Sequence, residues 1–164
     1  MKKTILFLLC LLTYCVGANS QQVTKTTHKK AVKTDVVTTG TMTIRKPSYI
    51  CISTDNDRDQ LIMDGTKFTM TMGGKKHVTD SQRNPQFASF QSVLQAVING
   101  KAIPAGEDLT VTEKDGKKTI TITPSGKKRR QMFTSFVLII DSKTSAFKKL
   151  RMNDRSGGYT EYTF

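Results

Sequence analysis

From Gly40 onward the chain alternates apolar and polar residues. Met42 and Ile44 alternate with Thr41, Thr43 and Arg45 until Lys46 and Pro47 interrupt, because proline lacks the N–H that a central strand donates. Residues 49–54 resume the alternation as a second strand, and "DNDRDQ" at 55–60 reads as a polar turn. The stretch "LIMDGTKFTMTMGGKKHV" then divides into three strands at Asp64-Gly65 and Gly73-Gly74, dipeptides suited to tight turns whose two central residues need positive φ. Between Asn84 and Gly100 the repeat lengthens to that of a helix, and Phe87, Phe90, Val93, Leu94, Val97 and Ile98 fall on one stripe. Asn84 suits the cap, Pro85 the first turn and Gly100 the left-handed residue after the end. Residues 109–113, 117–123, 131–141, 146–152 and 159–164 read as further antiparallel strands. The joints between them are short, so sequence neighbours should be neighbours in the sheet. Residues 21–38 are polar, basic and without apolar periodicity, and read as a tail or a weak first element.

This pattern predicts a mainly β protein, a curved one-sided sheet with a single helix free to close over its apolar face. The inward face should carry Met42, Ile44, Ile50, Ile52, Leu61, Met63, Phe68, Met70, Met72, Ile120 and Ile122. Methionine is the informative residue here. Met42, Met63, Met70, Met72, Met132 and Met152 are flexible and polarizable, in a chain with no tryptophan, and such side chains repack around variable apolar guests as readily as they fill a core. One helix of about four turns is too narrow to cover so broad a sheet, which favours a cavity or groove. The stripe from Phe87 to Ile98 would then be a lid.

Compartment follows from the first residues. Lys2 and Lys3, an apolar run from Ile5 to Val16, and the small residues Gly17 and Ala18 resemble a secretory signal cleaved near Ala18. Tyr14 is too bulky for the residue that normally precedes an acylated cysteine, which argues against a lipid anchor on Cys15. Cleavage removes Cys10 and Cys15 and leaves Cys51 with no internal disulfide partner. About 146 residues remain, the size of one domain. Taking Lys2 and Lys3 from 26 basic residues against 13 acidic leaves a mature charge of +11, which favours anionic partners.

Candidate chemistry is sparse. His28 and His77 have no acid or nucleophile at a motif spacing. Cys51 is a lone strand cysteine, a type more often a small buried hydrophobe than a nucleophile. Asp55, Asp57 and Asp59 imitate the start of a calcium loop, but Gln60 and Thr66 stand where that loop needs Gly and Glu. No enzyme activity, cofactor or metal is expected. The run Lys127, Lys128, Arg129, Arg130 suits either a solvated hairpin rim or docking on a polyanion, headgroup or acidic partner. No aromatic residues interleave with it, which disfavours nucleic acid.

The segments "GTMTIRKPSYICIST", "DQLIMDGTKFTM" and "LTVTEKDGKKTITITP", with the helix between them, resemble the periplasmic outer-membrane lipoprotein carrier family, LolA, over about residues 40–164. The resemblance implies an incomplete antiparallel β-barrel with a helical lid over residues 39–164, behind the signal and a polar segment at 19–38. It implies a monomer that takes acyl chains of lipoproteins from an inner-membrane release complex to an outer-membrane acceptor. The family's signature arginine latches the lid by bonding helix carbonyls, and the matching position here holds Lys46. An alternative on the same fold is an exported receptor or sensor that binds lipid or polyanion without shuttling it.

Overall fold

The computed structural model describes residues 19–124 and 132–164. The strands are β1 (Asn19–Lys29), β2 (Val32–Arg45), β3 (Tyr49–Thr54), β4 (Asp59–Asp64), β5 (Lys67–Met72), β6 (Lys75–Asp80), β7 (Leu109–Lys114), β8 (Lys117–Ile122), β9 (Phe133–Asp141), β10 (Phe147–Asp154) and β11 (Tyr159–Thr163), with one helix, α1 (Pro85–Ile98), between β6 and β7. They form one open, curved antiparallel sheet in the order β6-β5-β4-β3-β2-β1-β11-β10-β9-β8-β7. The sheet is an incomplete barrel. Two wings meet at the central pair β1 and β11, and β6 and β7 are the free edges. Because α1 joins those two edges in sequence, the chain must cross the mouth of the half-barrel to pass from one wing to the other.

Strand burial follows the alternation in the sequence. Ile50, Ile52 and Thr54 of β3 are buried while Tyr49, Cys51 and Ser53 are not, and β9 repeats the pattern with Phe133, Phe136, Leu138 and Ile140. Both edges bury little and carry charge, with Lys75 and Lys76 on β6 and Glu113 and Lys114 on β7, which discourages pairing with a second sheet.

Residues 21–38 are not a tail. They supply most of β1 and the first half of β2, so the boundary expected at residue 38 falls inside a strand. Two features hid them. Their many threonines are good strand formers but polar, and the inward positions of β1 that follow the alternation are Val23 and Lys25, the latter buried in an ion pair. The outer half of the hairpin leaves Val32, Val36 and Val37 exposed, so no burial period appears there.

Gly40 of β2 marks a tight corner of the sheet, opposite Val23 of β1 and Thr54 of β3. A Cβ at this position would lie 1.9 Å from the Ser53 carbonyl oxygen and 2.7 Å from Thr54 Cα. A residue without a side chain is the usual means of turning such a corner. The curvature of the sheet also brings β1 near β3 across β2.

The ends of α1 are as expected in position and different in detail. Asn84 occupies the cap site in an extended conformation, yet its side chain donates to Thr79 Oγ1 at 3.2 Å rather than to the first helical N–H groups. At the other end Gly100 has φ +62°, and the Gly100 and Lys101 N–H groups close on the Val97 and Ala96 carbonyls at 3.1 and 2.8 Å.

Candidate lipid-binding site

Helix α1 lies in the concave face of the sheet, held there by its apolar stripe. Phe87, Phe90, Val93, Leu94, Val97 and Ile98 are all buried, Phe90 completely. The Phe90 ring stacks on Phe136 of β9 at 4.4 Å and on Phe68 of β5 at 5.6 Å, so one helical side chain ties the two wings together. Phe87 adds contacts to Phe68 at 5.1 Å and to Phe133 at 6.2 Å.

Beneath the stripe sit the sheet residues expected to line the trough. Met42, Ile50, Ile52, Leu61, Met63, Phe68, Met70, Ile120 and Ile122 are buried, while Ile44 and Met72 are partly buried at its margin. Of the second wing, sequence reasoning placed only Ile120 and Ile122 of β8 on the inward face and left out others there, among them Phe136, Leu138, Leu150 and Tyr162. The same alternation that identified the first wing was present in "FTSFVLIID" and "FKKLRMND" and would have found most of them.

The expectation of an open groove is corrected by the packing. Directly under Leu94, among Met42, Ile52, Leu61, Phe147 and Phe164, the remaining cavity is only about 10 Å³, room for a water molecule at most. A second cleft of about 160 Å³ opens where Met70, His77 and Val78 meet Phe87 and Met132. Both are smaller than the roughly 300–1,000 Å³ of ordinary ligand sites. The helix is narrow, but its phenylalanines and those of β5 and β9 are large enough to fill the trough from above.

Side-chain hydrogen bonds tie the helix to its surroundings at several points, Ser89 Oγ donating to Asp108 Oδ2 among them. Asn99 Nδ2 donates to the Pro47 carbonyl at 2.8 Å and to Gln95 O at 2.7 Å, and Gln91 Nε2 donates to Gly65 O at 2.9 Å. Ser81 Oγ donates to Gln91 Oε1 at 2.5 Å. The two bonds that reach hairpin carbonyls, from Asn99 to Pro47 and from Gln91 to Gly65, are donated from the helix side, the reverse of the expected latch. Lys46 is exposed and, among the described residues, makes no hydrogen bond to α1. Beside these ties lies an open surface groove of about 600 Å³ with a mixed polar and apolar lining, between Pro47, Gly65 and α1. Asn99→Ala is expected to lower global stability by only about 1 kcal/mol while speeding amide hydrogen exchange in α1; equal protection in both proteins would show that this tie does not hold the helix.

Charged groups lie away from the apolar floor, with one exception. On the convex side Glu161 pairs with Lys149 at 3.0 Å and with Arg151 at 2.7 Å. Partial burial raises the Glu161 pKa, but those two cations outweigh it and hold the carboxyl below its ordinary value. The exception is Lys25, whose ammonium reaches Asp59 on the concave side. Burial again opposes ionisation of Asp59, and the bonds from Lys25 and the Gly73 N–H prevail, so its pKa is lowered.

The candidate reactive residues are not assembled. Burial pushes the Cys51 thiol above its ordinary pKa, which lowers its nucleophilicity. His28 stacks on Tyr159 at 5.1 Å and meets Asp35 at 2.6 Å, and His77 sits on the exposed edge strand. Among the described residues no group of His, Cys, Asp or Glu could hold a metal ion. Lys127, Lys128, Arg129 and Arg130, like the segment expected to be the signal, lie outside the described residues.

Among the described residues a single helix fills the apolar mouth of the half-barrel, which places the chain in a class of carrier and binding folds. The outer membrane lipoprotein carrier protein LolA family model matches residues 15–164, and the chain belongs to that family. Membership supports a lipoprotein-binding or carrier-like role. No curated protein matches the chain. Among solved structures it is similar to a LolA superfamily protein from Nitrosomonas europaea, with 11% identity and a TM-score of 0.31 over 89% of this chain and 84% of that one. It is also similar to lipoprotein LppX of Mycobacterium tuberculosis, with 12% identity and a TM-score of 0.33 over 90% and 85%. A chain of the Clostridioides difficile CwlD amidase and GerS lipoprotein complex aligns at 13% identity and a TM-score of 0.33 over 85% and 79%. No described helix is long and apolar enough to cross a membrane.

Proposed function

We propose that the protein is a periplasmic carrier that takes lipoprotein acyl chains into the trough beneath α1 and moves them from the inner to the outer membrane, with α1 as a lid seen here closed. The observation that carries this reading is that α1 occupies the trough of a LolA-family half-barrel chiefly through one apolar stripe. An acyl chain of about 15 methylenes gains on the order of 12 kcal/mol on leaving water. Burying the six stripe residues is worth about 1.5–3 kcal/mol each, or roughly 13 kcal/mol in all. Exchange of helix for acyl chain is therefore close to balanced, which is what reversible loading and release require. Met42, Met63, Met70 and Met152 on the floor would adapt to either occupant.

In this reading residues 1–18 are a signal removed near Ala18, and the basic run at 127–130 docks the carrier against anionic headgroups or an acidic membrane partner. The alternative is an exported lipid- or polyanion-binding module of the same fold that does not shuttle. Protein purified from the exported fraction, with and without a co-expressed lipoprotein, separates the two by mass spectrometry of its bound lipid. Co-purified acylated protein supports the carrier. Lipid-free protein whose heparin affinity falls steeply with salt would replace it with the polyanion binder.

A further inference from the structure

The concave face is largely apolar among the described residues, and near Gly40 polar groups from four strands come together on it. Lys25 of β1 and Asp59 of β4 form an ion pair with side-chain exposures of 6% and 16%. Tyr162 of β11 lies opposite Lys25 in register and is buried, with Asp59 close enough to help raise its pKa after burial itself. Thr54 of β3 stands opposite Asp59 in register and is 1% exposed. Its Oγ1 is buried and finds no hydrogen-bond partner among the described residues.

A buried hydroxyl without a partner is rare, and each one asks for a reason. A valine at residue 54 would fit the same strand and carry no such penalty, so the hydroxyl is retained at a cost in the closed state. Lys25 has three N–H donors, and Asp59 takes one of them. With Asp59 the lysine is neutralised, so the corner offers donors without net charge. That combination suits a neutral carbonyl and disfavours a carboxylate, which Asp59 would repel. Two residues along the same faces, Ile52 and Leu61 line the small apolar cavity under Leu94, so a chain entering that space would bring its polar end to Thr54.

We infer that the Lys25, Thr54 and Asp59 corner is a recognition site for the ester carbonyl at the head of an acyl chain. This rests on the carrier reading: the alkyl tail replaces α1 in the trough and the ester takes the Thr54 hydroxyl and a free Lys25 N–H. The ester could belong to the glyceryl group of a lipidated cysteine or to a phospholipid, and the corner itself reads only the carbonyl they share.

The test compares monopalmitoylglycerol with hexadecylglycerol, its ether counterpart lacking the carbonyl, in competition with a fluorescent fatty-acyl probe on the exported protein. The wild type is expected to bind the ester about tenfold more tightly than the ether, the effect of one or two well-placed hydrogen bonds. Thr54→Val should erase most of that preference, leave ether binding unchanged and not lower the Tm. Because removing Lys25 alone strands Asp59, the companion variant is Lys25→Met with Asp59→Leu, which exchanges the pair for apolar side chains and should also lose the preference. Equal binding of ester and ether by the wild type, or a preference that survives Thr54→Val, overturns the subsite and leaves the carrier standing. Failure of both lipids to bind removes the carrier reading and the subsite with it. Dipalmitoylglyceryl-cysteine peptide run against dipalmitoylphosphatidylglycerol identifies the source, and tighter binding of either one supports the ester site.

Discussion

Gly40→Ala is expected to cost roughly 4–5 kcal/mol, at the exceptional end of single substitutions. The added methyl would meet the Ser53 carbonyl and the Thr54 backbone at 1.9 and 2.7 Å, neither of which can swing aside as a side-chain tip could. Relief requires β2 and β3 to separate, and that would open the corner on which the Lys25 and Asp59 pair depends. Gly73→Ala is the control: nothing lies within 4 Å of its Cβ, and only its φ of +55° is unfavourable, a penalty of about 1–2 kcal/mol. Guanidinium unfolding of both variants measures the difference. If the two cost the same, the corner relaxes freely and Gly40 does not shape the half-barrel.

That corner was the part of the fold least legible in the sequence. The hairpins at Asp64-Gly65 and Gly73-Gly74 announced themselves through turn chemistry, and Gly65, Gly73 and Gly74 do adopt positive φ. The helix was equally plain from the spacing of Phe87 to Ile98. Gly40 instead looked like the point where structure begins, because the residues before it show no apolar period. What they contribute is a long-range ion pair and a central strand flanked by β2 and β11, and neither leaves a local trace. The filled trough was also hidden. Periodicity tells which side chains face inward, whereas whether they meet across the middle depends on ring sizes and sheet curvature, here settled by Phe68, Phe90 and Phe136. The latch expected at Lys46 shows a third limit: Lys46 is exposed, and the bond between this hairpin and the end of α1 is donated by the cap residue Asn99.

Covalent closure of the lid should abolish loading. Ser81 lies just before α1 and Gln91 in its middle, and their side chains meet at 2.5 Å, so cysteines at both positions are placed to form a bridge if their Cβ atoms approach to about 4 Å. In a Cys51→Ser background, which removes the remaining thiol of the described residues, the oxidised Ser81→Cys/Gln91→Cys protein is expected to bind a fluorescent fatty-acyl probe at least about tenfold more weakly than the reduced one. Apparent affinity falls in proportion to the fraction of molecules able to open, and the bridge holds α1 over a cavity of about 10 Å³. Reductant should restore uptake fully, since the same polypeptide then regains its exchange of helix for alkyl chain. An oxidised protein that loads as well as the reduced one would mean that cargo enters without displacing α1, through the Met70 and Met132 cleft or on the outer surface, and the balance between stripe and acyl chain would no longer describe how this protein works.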